Sequence, residues 1–310
     1  ARRLGDARQY DRRRPPVSAA MNLTAAQKGA ALMVAGVFCM ASMDVMAKTL
    51  GHSIPVAQIV WLRFVSQALV VGAGLLIARR ALFTSAHTKL HMLRGMATTF
   101  SSYMFFLGII YLPLADATAL IQLGPVMVTL GAVLVLGETI GRRRILGIAA
   151  AFLGAMLIIR PGSSVMSPAS AFPLLGAIGF TVYALATRFV RSDGPWTALF
   201  LQGVFGTIFS SMLVPFFWQR MPIAEVPIVA ALIGFGILGH LLMIRAFAAA
   251  PAGDIAPYGY AGLLFAVIFG LVLFGETPDG FTLLGAVVIV TAGIYVWYRE
   301  RLIQTQDDNG

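Results

Sequence analysis

Apolar residues dominate this chain in long runs, broken by short polar connections. A run of about 20 apolar residues crosses the bilayer core as a helix, because every backbone amide must find its partner inside the segment. Ten such runs are legible: 29–50, 56–78, 91–112, 115–136, 145–159, 169–189, 196–217, 228–249, 255–274 and 281–297. The fifth is short and reaches spanning length only by including Arg144 and Arg160. The pattern predicts an all-α integral membrane protein of ten transmembrane helices.

Superposed on the runs is a doubled block. Pro113, Asp116, Gly124, Gly137, Glu138, Thr139, Leu146 and Gly147 recur as Pro251, Asp254, Gly262, Gly275, Glu276, Thr277, Leu284 and Gly285, each 138 positions on and without a gap. A period this long, present twice, marks a duplicated half-protein rather than an array of small repeats. The earlier runs follow at an offset of 140, where Lys48 meets Arg188 and Pro55 meets Pro195. The expected organisation is a basic segment over 1–28, five-helix repeats over 29–161 and 168–299, and a tail over 300–310.

Composition agrees. The chain is 58% hydrophobic and 12% charged, against roughly a quarter charged in an ordinary soluble domain. Its net charge of +10 would suit nucleic acid if it were gathered on one face, but it lies in short connections and reads as orientation. All but four of the 23 Lys and Arg residues fall at one set of span ends; Lys48, Arg160 and Arg220 fall at the other, and Arg63 lies within a span. The excess marks the cytoplasmic side, so both termini are expected there. Five spans per half being odd, the second half enters the membrane from the opposite face, which makes the repeats inverted. Met21 follows a stretch rich in arginine and is a candidate native start, and no cleavable signal peptide is legible.

Charges within a span need a partner, a water-filled cavity or a task. Asp44 and Arg63 sit at matching depth in the first two spans, with Lys48 one turn beyond Asp44. They read equally as part of a translocation path or as a structural ion pair. His240 lies well inside the eighth span, as a titratable candidate or a satisfied helix contact. Glu138 and Glu276 close their spans, as gate residues or as plain helix ends. Tyr103, Gln122, Tyr258 and Tyr260 stand near hydroxyl-rich or breaker-containing stretches, Gly124-Pro125 and Pro257-Tyr258-Gly259-Tyr260, which suit the lining of a pocket.

Several signals carry nothing. Gly234, Gly236 and Gly239 fit a dinucleotide-binding glycine pattern but lie within an apolar span, where helix packing explains them. Asn22-Leu23-Thr24 is a glycosylation sequon on the expected cytoplasmic side. Cys39 is the only cysteine, so no disulfide framework or cysteine metal site is expected. There is no phosphate-binding loop, and neither a cofactor nor a metal is expected. A membrane enzyme would need His and acidic residues gathered at one interface, and the four histidines, His52, His87, His91 and His240, are scattered in sequence.

Ten spans in two inverted halves, each closing on Gly-Glu-Thr, together with Asp44-Val45-Met46-Ala47-Lys48, Gln58 to Phe64 and the stretch from Gly239 through Ala256-Pro257-Tyr258, resemble the EamA-type transporters of the drug/metabolite transporter superfamily. The resemblance covers 29–300. It implies a carrier of the bacterial inner membrane with a central cavity opening alternately to each side. It also implies a small organic substrate, such as S-adenosylmethionine or riboflavin taken up, or amino acids or drug-like cations exported. The first-span Asp-x-x-x-Lys and the second-span arginine look most like the uptake branch. Proton coupling and exchange both stay open, as does oligomeric state.

Overall fold

The computed structural model describes residues 25–78, 85, 87–136, 142–159, 167–190, 193–250 and 255–307. Among these, the chain is helical throughout. The helices are α1 (Ala25–Leu50), α2 (Val56–Ile77), α3 (Thr88–Tyr111), α4 (Leu114–Ile121), α5 (Gly124–Leu136), α6 (Arg142–Ile159), α7 (Ala171–Phe189), α8 (Pro195–Phe217), α9 (Val226–Ala249), α10 (Ala261–Phe274) and α11 (Gly280–Asp307). Seven segments are long and apolar enough to cross a membrane, and α6 and Gly280–Tyr295 are shorter apolar helices. The chain is therefore a multi-span membrane protein. The run expected at 115–136 is not one helix: it is interrupted at Gln122 and Leu123, where Gly124-Pro125 restarts it as α5. The ninth run opens with a 3₁₀ turn, Ala256–Tyr260, before α10.

Between membrane helices there is little hydrophobic drive, so close backbone approach through small residues holds them together. The helices pack as α1 on α9, α3 on α7, α2 on α8, α4 on α10 and α6 on α11. Gly36 and Gly239 bring α1 and α9 together: a Cβ at Gly239 falls 3.0 Å from the Gly36 carbonyl oxygen. Gly154 and Gly285 do the same for α6 and α11, where a Cβ at Gly285 falls 2.5 Å from the Gly154 carbonyl oxygen. Gly236 packs on Met43. Two of the three glycines of the dinucleotide-like pattern are thus contact points on α1.

The interior is not uniform along the helices. Where α1 ends, Leu50, Ile59, Ile109, Leu112, Leu114 and Ile158 are buried in one large cluster. Where α1 begins, burial divides in two. Met33, Val37, Ala246, Ala250 and Ile255 join α1, α9 and the start of the ninth run, while Val71, Leu75, Leu199 and Phe200 join α2 and α8. Among the described residues, burial is thus continuous at the first of these ends, the sealed end, and divided into two clusters at the other, the split end.

Candidate functional site

At the sealed end, α10 stops at Gly275, whose φ of 65° lies in the left-handed region that a side chain disfavours. The next amide, Glu276 N–H, donates back to the Gly270 carbonyl at 2.9 Å. This turn folds the Glu276 side chain over Gly270 and into the helix bundle. Its Oε1 receives Lys48 Nζ at 2.5 Å and its Oε2 accepts the Leu114 N–H at 2.8 Å. Lys48 Nζ also donates to the Leu112 carbonyl at 2.8 Å and lies 5.1 Å from the Phe274 ring centre. Glycine and glutamate of the Gly-Glu-Thr block thus have separate tasks: one makes the turn, the other ties α1 and the α3–α4 connection to the end of α10. The first block's Glu138 lies outside the described residues.

Below this tie, a cavity of about 170 Å³ opens among α1, α3, α4 and α10. Asp44, Phe105, Thr118, Gln122, Gly259 and Gly262 contribute to its wall. Gln122 at the helix break and Gly259 in the 3₁₀ turn reach the same cavity. Asp44 is half-buried and accepts no hydrogen bond among the described residues. Sites for drug-sized ligands run to roughly 300–1,000 Å³, so a nucleoside- or flavin-sized molecule enters only if the helices part further.

Arg63 stands beside this cavity rather than in its wall. Its Nη1 donates to Ser102 Oγ at 2.6 Å, and its guanidinium lies 5.2 Å and 5.9 Å from the Phe64 and Phe106 ring centres. Asp44, Tyr183 and His240 are all within electrostatic reach of it. His240 Nδ1 donates to the Gly236 carbonyl at 2.8 Å, since a carbonyl only accepts, and its Nε2 is left for another partner.

The remaining expected residues face elsewhere. Tyr103 donates its hydroxyl to the Ala57 carbonyl at 3.4 Å, which ties α3 to α2. The Tyr260 hydroxyl packs on Gly293 of α11. Tyr258 is exposed and is not in the cavity wall. Asp44 and Gln122 therefore share the cavity, Arg63 and His240 adjoin it, and Lys48 is held in the tie above it.

A second polar cluster lies at the split end. His91 Nδ1 meets Arg94 Nη1 at 3.0 Å, and arginine only donates, so the His91 proton sits on Nε2 and is given to Asp193 Oδ2 at 2.9 Å. Arg94 Nε donates to Thr187 Oγ1 at 2.9 Å, and its guanidinium lies 5.2 Å from the Tyr183 ring centre. His87 Nδ1 lies 3.4 Å from Asp193 Oδ1, and Ser85 Oγ also donates to this carboxylate. The expectation that the histidines are scattered fails here, because a loop residue 102 positions from His91 joins two of them. Among the described residues no group of three His, Cys, Asp or Glu side chains is placed to hold a metal. At the sealed end, Ser53 Oγ donates to Glu225 Oε1 at 2.5 Å.

The chain is thus a polytopic helical bundle in which a helix break and a 3₁₀ turn meet at a cavity, a build that suits a membrane carrier. Residues 27–160 and 168–298 each match the model of the EamA-like transporter family, and the chain belongs to that family, within the drug/metabolite transporter superfamily. It is similar to an S-adenosylmethionine uptake transporter of Rickettsia bellii, 26% identical over 83% of this chain and 89% of the relative. A pseudopaline exporter of Pseudomonas aeruginosa is 27% identical over 88% and 97%. A riboflavin transporter of Vibrio cholerae is 29% identical over 68% and 72%. One solved crystal structure has the same fold, with a TM-score of 0.60 at 18% identity over 86% of this chain and 96% of that one. The chain is a transporter of small metabolites, not an enzyme.

Proposed function

We propose that the protein carries a small organic metabolite across the bacterial inner membrane by alternating access, between inverted repeats over 29–161 and 168–299, with both termini cytoplasmic. The observation that carries this reading is the pair of helix breaks. The turn at Gln122 and the 3₁₀ residue Tyr260 stand 138 positions apart, as do the cavity-lining glycine Gly262 and the α5 start Gly124. Broken helices facing one midplane cavity expose backbone polar groups where a substrate meets them.

The helix pairing supports the inversion. Exchanging every span for the one five places on turns the pair of first and eighth spans (α1 on α9) into that of sixth and third (α7 on α3). The other three pairings map onto themselves. The end contacts behave alike: Ser53 and Asp193 are 140 positions apart, Glu225 and His87 are 138 apart, and Ser53 bonds Glu225 while Asp193 bonds His87.

By the charge bias of the connections, the sealed end faces outward and the split end faces the cytoplasm. Lys48 and Glu276 then form an outer latch that must part for the cavity to open outward. Asp44, Arg63, Gln122 and His240 are the substrate-facing set, while Tyr103 and Tyr260 hold the helices around it and the exposed Tyr258 stands outside it. Uptake of S-adenosylmethionine or riboflavin is favoured by the relatives that move them. Export is the second reading, favoured by the exporter that aligns over 97% of its own length. Coupling is to a proton or by exchange, and an imposed pH gradient tells the two apart. Labelled S-adenosylmethionine, riboflavin or another small metabolite should enter proteoliposomes holding the purified chain. Lipid turnover without flux of any metabolite would sink the reading.

A further inference from the structure

Opposite charges in a low-dielectric interior attract strongly at short range and are costly to leave unpaired. Lys48 and Glu276 obey this and meet at 2.5 Å. Asp44 and Arg63 do not: among the described residues no ion pair joins them. They are nonetheless neighbours. Phe105 shares the cavity wall with Asp44, and Ser102, three residues back on the same face of α3, holds Arg63. Ser102 and Phe105 are about one helical turn apart, roughly 5 Å along α3, and Asp44 and Arg63 lie within electrostatic reach of each other.

Arg63 is held off its counter-charge by specific contacts. The Ser102 hydroxyl takes one of its nitrogens and two rings flank the guanidinium, leaving the rest of the planar fork to bind a carboxylate in two-pronged fashion. Asp44 has no competing donor. The result is an ion pair left unbridged among the described residues, with Gln122 and Phe105 in the same cavity wall as Asp44.

We infer that this gap is the recognition element for a compact zwitterion, with Arg63 receiving its carboxylate and Asp44 its cationic group. A molecule carrying both charges satisfies both residues at once, whereas one carrying a single charge leaves a buried charge alone. The inference rests on the transport reading above and narrows it to substrates with an amino-acid-like end.

The test uses the full chain in proteoliposomes and, in parallel, its melting temperature in detergent. The probes are S-adenosylmethionine itself and the common amino acids with uncharged side chains, each of the latter also as its methyl ester, which keeps only the cation, and as its N-acetyl derivative, which keeps only the anion. Riboflavin serves as the uncharged probe. At least one zwitterion should move and stabilise the protein, with both of its derivatives weaker by about tenfold or more, a difference of about 1.4 kcal/mol. Asp44→Asn should abolish the advantage over the N-acetyl derivative, and Arg63→Gln the advantage over the methyl ester. Asp44→Glu, which keeps the charge, should restore selectivity if Asn disturbs folding. Flux of riboflavin or of either derivative at the parent's rate overturns the inference and leaves the transporter intact. So does a selectivity unmoved by either variant. No flux of any probe overturns both readings.

Discussion

Lys48 Nζ and Glu276 Oε1 lie 2.5 Å apart, joining the end of the first helix to the residue just past α10 across 228 positions of sequence. The Lys48 side chain is 5% exposed and that of Glu276 21%. Removing one partner of a wholly buried pair costs ~3–5 kcal/mol, and the partial exposure of Glu276 sets the cost here below that range. Lys48→Met should therefore lower the melting temperature clearly, and Lys48→Met with Glu276→Gln should recover part of the loss. If the double variant is as unstable as the sum of the singles, the two residues are not coupled.

Gly275 makes the turn that aims Glu276, so its effect should track the latch. Gly275→Ala forces a side chain into a left-handed backbone, at a cost of about 1 kcal/mol or more. The same loss of stability is expected in a Glu276→Gln background if strain alone acts. A smaller loss there, measured as a double-variant cycle, shows that Gly275 works through Glu276.

Gly259 has open space around it and lies in the cavity wall. Gly259→Leu should therefore fill the cavity without crowding the helices. Substrate flux should vanish while the melting temperature holds. Undiminished flux would move the substrate path away from this cavity.

Gly285 is the opposite case. Its Cβ would meet the Gly154 carbonyl oxygen at 2.5 Å, and a backbone cannot swing aside like a side chain. Gly285→Ala should destabilise by ~1–3 kcal/mol, the usual cost of overpacking, seen as a lowered melting temperature. Gly234→Ala, in open space on α9, is the control that should change nothing.

At the split end, Asp193→Ala leaves His91 Nε2–H buried without its acceptor, because His91 has no exposure. The cost should be ~1–3 kcal/mol. Replacing His91 by Leu in that background removes the orphan donor but also takes an acceptor from Arg94 Nη1, so only part of the loss should be recovered.

The apolar runs made the helices legible, because lipid leaves a backbone no alternative. The repeat was legible because eight residues stay in register. The break after Ile121 was visible only as a weak Gly-Pro signal, and what marks it as a site is its meeting with Gly259, a tertiary fact. Lys48 stands one turn beyond Asp44 on the same helix face and so reads with it as part of a polar cluster, while its partner, Glu276, comes from the far half of the chain. The His91 cluster was missed because Asp193 arrives from a loop. The pairing of Ser53 with Asp193 at the 140-residue offset, together with His91 and Arg94 three apart on one helix face, was the signal that would have found it. Tyr260 sits beside proline and glycine breakers and reads as pocket lining, but the rotation of its short helix turns the ring onto Gly293.

Alternating access requires the latch to open in every cycle, and that is open to direct measurement. In a Cys39→Ser background, Lys48→Cys and Glu276→Cys are introduced together and bridged by a short bis-methanethiosulfonate, because side chains this long can meet from backbones too far apart for a direct disulfide; metabolite flux into proteoliposomes is followed before cross-linking, after it and after reduction. The account predicts that the cross-link stops flux and that reduction restores it. Cross-linked protein that transports as fast as the reduced form would contradict it.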